Sequence, residues 1–209
     1  MVMRWHVAQW FEKMWWKRYL SKKQPEEYLD WKRSYWKRFL NDLNVIPRDR
    51  ILDAGCGPAG INIVLHDSEV WAIDPLLDEY KALPVFNETN NANVNFLKST
   101  LETLNLETQF DQVFCINVIN HVESIESSLY RLYEHTKPHG ELIITTDCHR
   151  NDLFQRVLSM IPIDILHPHQ MNASEYIELL KKTGWRVIRT TKLKHDFIFD
   201  YYAFQCIKD

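Results

Sequence analysis

Three of the five glycines in this 209-residue chain, Gly55, Gly57 and Gly60, fall within six positions, directly after the short run Ile51 to Ala54. A chain this sparing with glycine places it where the backbone must turn in a way a side chain forbids, or approach another group closely. The order strand, Gly-x-Gly-x-x-Gly, helix is the opening unit of a nucleotide-binding α/β sheet, in which the turn lets a ligand reach the backbone. Asp74, at the end of the next apolar run Val70 to Ile73, supplies an acid where such folds hold ribose hydroxyls. The glycine spacing by itself fits a pyrophosphate-containing dinucleotide equally well.

The remaining pattern extends that unit. Short apolar runs at 50–54, 69–73, 94–97, 111–116, 140–146, 185–193 and 198–207 read as strands, and 59–66, 76–82, 124–135, 150–159 and 173–183 read as helices. The last helix is opened by Asn172 or Ser174 and closed by Gly184. Alternating strands and helices predict a parallel sheet covered on both faces. Lys194-His195-Asp196 is too short for a helical crossover, so the final two strands are expected to run antiparallel. The fold class is therefore a three-layer, doubly wound α/β domain on a mostly parallel seven-stranded sheet with an antiparallel C-terminal strand, preceded by a helical extension.

That extension is chemically distinct. Residues 1–50 hold twelve Lys/Arg against six Asp/Glu, whereas the remainder holds thirteen against twenty-two, and six of the eight tryptophans lie before position 37. Residues 4–20 carry apolar side chains at helical spacing, and a second amphipathic helix from Pro25 carries Tyr28, Trp31, Tyr35, Trp36, Phe39, Leu40 and Leu43. The chain divides on this basis into an aromatic, basic extension over 1–46 and a cofactor-binding domain over 47–209. Cys56, Cys115, Cys148 and Cys206 are widely separated and form no C-x-x-C pair, so neither a disulfide framework nor a zinc site is indicated. With no signal-peptide pattern and no 20-residue apolar stretch, a cytoplasmic protein is expected.

Asp53 separates the ligand readings. It creates Asp-x-Gly-x-Gly, and a carboxylate there suits a cationic amino-acid moiety but sits poorly beside a pyrophosphate. With Pro58 stiffening the turn, the segments Ile51–Gly60, Val70–Pro75, Phe110–Val122, His135–Leu142 and Met171–Gly184 together resemble the class I S-adenosylmethionine-dependent methyltransferases of small-molecule type. The resemblance implies S-adenosyl-L-methionine as cofactor. It assigns Asp53, Gly55, Cys56, Gly57 and Gly60 to the methionine part, Asp74 and Pro75 to the ribose, and Thr100, Leu101 and Glu102 to the adenine. Asn117 falls at the methyl-donor end. Two positions depart from the family pattern: Thr100 replaces a common Asp, and Ala59 stands where many relatives have glycine, which shifts adenine recognition toward backbone groups.

Methyl transfer needs alignment and a deprotonated nucleophile more than covalent help. His121, after the fourth strand, and His167 and His169, before the late helix, are the candidate bases. No acid cluster suited to a metal ion is apparent, and Asn117-Val118-Ile119-Asn120 replaces the Asp/Asn-Pro-Pro-Tyr of amino methyltransferases. The expected partner is a small, apolar or aromatic acceptor beneath an aromatic lid. The acidic domain disfavours nucleic acid, and the basic, Trp-rich residues 1–23 allow peripheral contact with an anionic membrane. A noncatalytic S-adenosylmethionine-binding regulatory or partner protein and a nicotinamide dehydrogenase are the competing readings.

Overall fold

The computed structural model describes residues 13–16, 18–86, 92–149, 171–196 and 199–209. Seven strands form one sheet: β1 (Arg50–Ala54), β2 (Glu69–Ile73), β3 (Val94–Leu97), β4 (Phe110–Ile116), β5 (Thr136–His149), β6 (Trp185–His195) and β7 (Phe199–Lys208). Their spatial order is β3-β2-β1-β4-β5-β7-β6, with β7 antiparallel to both of its neighbours and the other pairings parallel. The chain runs outward from β1 to β3 on one side and resumes at β4 on the other. The C-terminal ends of β1 and β4 thus form the switch point at which such sheets open a ligand crevice.

Strand alternation distributes the core to both faces. Leu52, Val113, Cys115, Leu142, Ile144 and Phe204 join one cluster with Leu129 and Trp185. Ile51, Val70, Phe114, Ile143 and Ala203 join another with Tyr28, Trp36, Phe39 and Leu43. Tyr28, Trp36 and Phe39 come from helix α1 (Pro25–Asp42), with Leu43 as its C-cap; the helix opens with proline in its first turn and Glu26 and Glu27 at its positive N-terminal end. Residues 13–16 and 18–20 are also helical. The rest of the expected 4–20 helix lies outside the described residues, as does the helix expected over 150–159.

Two expected helices shorten. Over 59–66 the chain forms two 3-10 pieces, Gly57–Ala59 and Ile61–Val64, because Gly60 between them is extended (φ −71°, ψ −175°). The Asn62 amide is then turned toward the Asp53 carboxylate at 3.1 Å instead of an α-helical carbonyl. Over 76–82 only α2 (Leu77–Tyr80) forms, since Leu76 already departs from helical angles. The other two match expectation closely: α3 (Ile125–Glu134) is capped by Ser124, and α4 (Ala173–Lys182) by a reciprocal Asn172–Glu175 capping box. Strand β5 begins earlier than expected, at Thr136, across an irregularity opposite Phe110 and Gln112 that accommodates His139 at φ 61° and Gly140. No helix among the described residues is long and apolar enough to cross a membrane.

Phe39 is 5% exposed and tightly packed between α1 and the sheet. Replacing Phe39→Ala should lower the unfolding free energy by about 3–5 kcal/mol, read from urea denaturation with an unchanged slope.

Candidate functional site

The glycine turn is shaped by what its backbone touches. Gly55 has φ 81°, and a Cβ there would lie 2.2 Å from a Val118 methyl, so the turn after β1 is pressed against the loop after β4. At Gly60 the backbone is ordinary but the space is absent: a Cβ would fall 2.4 Å from the Cys56 carbonyl and 2.5 Å from Asp53 Oδ2. Gly57 differs. It has φ 56°, and its missing Cβ would meet only the Trp16 ring, at 3.9 Å. Gly55 and Gly60 are glycine for packing, and Gly57 leaves backbone open toward a cavity.

That cavity occupies about 720 Å³ at the switch point. It is lined by Asp53, Gly55, Cys56, Gly57 and Gly60 from the turn, by Asp74 and Pro75 after β2, and by Thr100, Leu101 and Glu102 after β3. Asn117 and His121 after β4 complete one side. The sequence-expected residues within the described chain are thereby brought together; His167 and His169 lie outside it. The opposite wall is aromatic: Trp15, Trp16, Trp31, Tyr35 and Trp36 from the N-terminal helices, with Tyr201 from β7. The indole of Trp36 donates to the Ala59 carbonyl at 3.1 Å, fastening α1 to the glycine turn.

Two carboxylates define the polar side. Asp74 accepts from the Gly57 amide at 3.0 Å through Oδ2 and from the Leu76 amide at 2.8 Å through Oδ1, which fixes its carboxylate at the cavity wall. Asp53 is 2% exposed. Burial pushes its pKa up to about 7, and the Asp74 charge adds to this, while the Asn62 and Ile61 amides and the Lys32 ammonium pull the other way. Burial also raises the Cys56 thiol well above the ordinary range, so this residue is a neutral wall and not a nucleophile.

Beyond β3, Glu102 accepts from the amides of Glu123 at 2.8 Å and Ser124 at 3.3 Å, bracing the segment against the loop before α3. The Thr100 hydroxyl accepts from the Thr103 amide at 3.2 Å, so its side chain serves a local turn and leaves the backbone of this segment for recognition. Asn117 holds the left-handed conformation, φ 58°, with its amide on the carbonyl (3.1 Å) and hydroxyl (3.0 Å) of Thr145. Such strain is retained where the surroundings over-determine it, and here it turns the chain into the cavity.

Sequence reasoning missed two polar lining residues, Lys32 and Tyr201. Lys32 could have been found: it sits four residues from both Tyr28 and Trp36, a cation inside an otherwise apolar stripe. Tyr201 follows from β7 lying between β5 and β6, which places its hydroxyl against Thr145. No local signal announces it.

A methyltransferase-domain family model matches residues 20–190. The chain belongs to this family. A ubiquinone biosynthesis O-methyltransferase of Rickettsia bellii is 38% identical over 112 residues, covering 53% of this chain and 45% of the relative. Its counterpart in Rickettsia canadensis is 28% identical over 170 residues, covering 77% and 72%. The chain spans about half the length of the first of these curated relatives. Among solved structures, N-methyltransferase NodS from Bradyrhizobium japonicum, in complex with S-adenosyl-l-homocysteine, superposes with a TM-score of 0.63 at 11% identity, covering 85% of each chain. The class I S-adenosylmethionine-dependent methyltransferase fold expected from the sequence is the fold present.

The glycine geometry predicts a contrast. Gly60→Ala forces apart Asp53 and the Cys56 carbonyl and should lower the melting temperature by several degrees, whereas Gly57→Ala should cost only about 1 kcal/mol, that of a strained φ. Differential scanning fluorimetry separates the two. A second expectation concerns pH. With its folded pKa raised to about 7, Asp53 retains a proton in the fold that the unfolded chain has lost. Stability of the unliganded protein should therefore fall as pH rises from about 4 to about 7, and Asp53→Asn should flatten this part of a urea-stability profile.

Proposed function

We propose that this protein transfers the methyl group of S-adenosylmethionine to an oxygen of a small, apolar, aromatic acceptor. The observation that carries the reading is one cavity lined both by an acidic glycine turn and by a cluster of indole and phenol rings. The residues present fit the cofactor: open backbone at Gly57, a buried acid at Asp53 for an ammonium, and the Asp74 carboxylate at the end of the second strand for ribose hydroxyls. The curated relatives named as ubiquinone biosynthesis O-methyltransferases support oxygen as the attacked atom and a lipophilic aromatic as the acceptor.

When bound, S-adenosylmethionine supplies an electrophilic methyl group on a cationic sulfur. Asp53 and the glycine turn hold the amino-acid end, Asp74 and Pro75 the ribose, and Thr100, Leu101 and Glu102 flank the base. Asn117 lines the donor end. Residues 1–46 would serve as a lid, with Trp15, Trp16, Trp31, Tyr35 and Trp36 lining the acceptor space and excluding water, so that most of the rate comes from alignment. His121 takes the proton of the acceptor hydroxyl; His167 and His169 are held as further candidates for that role.

The mouth of the cavity adds a second, compatible reading. Trp15 and Trp31, which line the cavity, are 55% and 53% exposed, and Arg18, Lys22 and Lys23 of the same N-terminal segment are exposed cations. Contact of residues 1–23 with an anionic lipid surface would bring a lipophilic acceptor to the entrance. A nucleic-acid acceptor does not suit the acidic lining of the crevice.

S-adenosylhomocysteine at a hundred times its Kd should stabilise the protein by about 2.7 kcal/mol, while NAD should leave the melting curve unmoved. Protection by NAD alone would sink the cofactor assignment, and protection by S-adenosylhomocysteine without turnover on any extract fraction would favour a noncatalytic binder. With an acceptor in hand, His121→Ala should lower kcat by about 100-fold and leave cofactor affinity alone. Unchanged turnover removes His121 from the mechanism.

A further inference from the structure

Tyr201 reaches the cavity from the sheet, whereas the other aromatic rings that line it come from the N-terminal helices. On β7 it shares a face with Ala203, which packs in the cluster beneath α1, and on β5 Thr145 lies directly opposite Ala203. Tyr201 and Thr145 are thus diagonal neighbours across the antiparallel pair, within reach for a tyrosine, and their hydroxyls are hydrogen-bonded. Thr145 also accepts from the Asn117 amide through the same oxygen, at 3.0 Å. A line of three polar groups therefore runs from the loop after β4, through Thr145, to the Tyr201 hydroxyl.

A proton count gives this line a direction. Thr145 is fully buried, its oxygen takes the Asn117 proton, and its own proton has one possible destination among the described residues, the phenol oxygen. Were Tyr201 the donor, the threonine proton would be buried without an acceptor, at the full desolvation cost. Thr145 consequently donates and Tyr201 accepts. The phenol proton is then committed to no group among the described residues: Tyr35, Asp147 and Cys115 act on Tyr201 electrostatically, and none of them hydrogen-bonds it. Burial, the largest influence, holds the Tyr201 pKa above the ordinary phenol range, so the group keeps its proton and remains a neutral donor.

We propose that Tyr201 is a specificity-determining residue whose hydroxyl donates a hydrogen bond to an oxygen carried on the ring of the acceptor. The inference rests on the acceptor reading given above and narrows it, from an apolar aromatic to one bearing an ether, carbonyl or hydroxyl oxygen on the side facing β7. A hydrocarbon ring of the same shape would fill the space among the indoles but leave the phenol proton unpaired, and that penalty is what sorts one ligand from the other. Thr145 acts through Tyr201 as a positioning residue, occupying the phenol oxygen so that the proton is presented to the ligand.

Two isosteric probes test this, 2-methoxynaphthalene and 2-ethylnaphthalene, which differ by one ether oxygen in place of a methylene. Each is titrated by fluorescence into the protein saturated with S-adenosylhomocysteine. Tyr201→Phe should weaken the ether by about 3- to 10-fold, the loss of one neutral hydrogen bond, and leave the hydrocarbon unchanged or slightly tighter. Thr145→Val should reduce the preference for the ether over the hydrocarbon, and Thr145→Ser, which keeps the donor, should retain it. The proposal is overturned if Tyr201→Phe leaves the ether affinity unchanged, if it weakens both probes by the same factor, or if Thr145→Val and Thr145→Ser discriminate between the probes equally. If wild-type protein binds neither naphthalene, the apolar acceptor reading itself fails and this assignment falls with it.

Discussion

The site depends on a steric constraint: three backbone segments meet where no side chain fits. Gly55 lies against Val118, and Gly60 lies against Asp53 and the Cys56 carbonyl, so the end of β1, the loop after β4 and the turn between them share one small volume. A methyl group at Gly55 would push the turn off the loop after β4, and one at Gly60 would push it off the end of β1; the crevice at this switch point is the cavity. The same close approach directs the Asn62 amide to the Asp53 carboxylate and the Gly57 amide to Asp74. Packing and polar preorganisation are one arrangement in this turn.

That arrangement works against the stability of the empty protein. Asp53 is buried with a neighbouring acid, and Lys32 forms no ion pair among the described residues, so the site carries an electrostatic cost within the fold. Asn117 adds a strained backbone. A domain stabilised by two ordinary hydrophobic clusters tolerates these local costs.

Much of this was legible in the sequence because its signals are local. The glycine turn, the strand-end acid Asp74, the Asn172–Glu175 cap and the short β6–β7 turn each act over a few residues, and each took its expected place. The failures share a cause. Periodicity over 59–66 looks helical, yet the Asp53 carboxylate competes for the Asn62 amide and an extended Gly60 interrupts the run. Tyr201 enters the cavity only because β7 inserts between β5 and β6, a tertiary fact without local trace. Lys32 was visible as a charge on an apolar stripe, but an amphipathic reading assigns such a residue to solvent.

Helix α1 shows why the boundary drawn at residue 46 from composition is not a boundary in packing. Tyr28, Trp36 and Phe39 lie in the cluster that covers Ile51, Val70 and Phe114 on one face of the sheet, while Trp31, Lys32 and Tyr35 line the cavity. Trp36 does both, and its indole N–H also holds the glycine turn through the Ala59 carbonyl. A helix with one face in the core and the next in the site cannot be freely exchanged to alter the acceptor. Changes at Trp36 disturb sheet packing and the glycine turn together, whereas half-exposed Trp31, outside the buried core, is free to vary. The half-exposed positions of α1 along the cavity are therefore open to substitution, while its inner face is fixed by the fold.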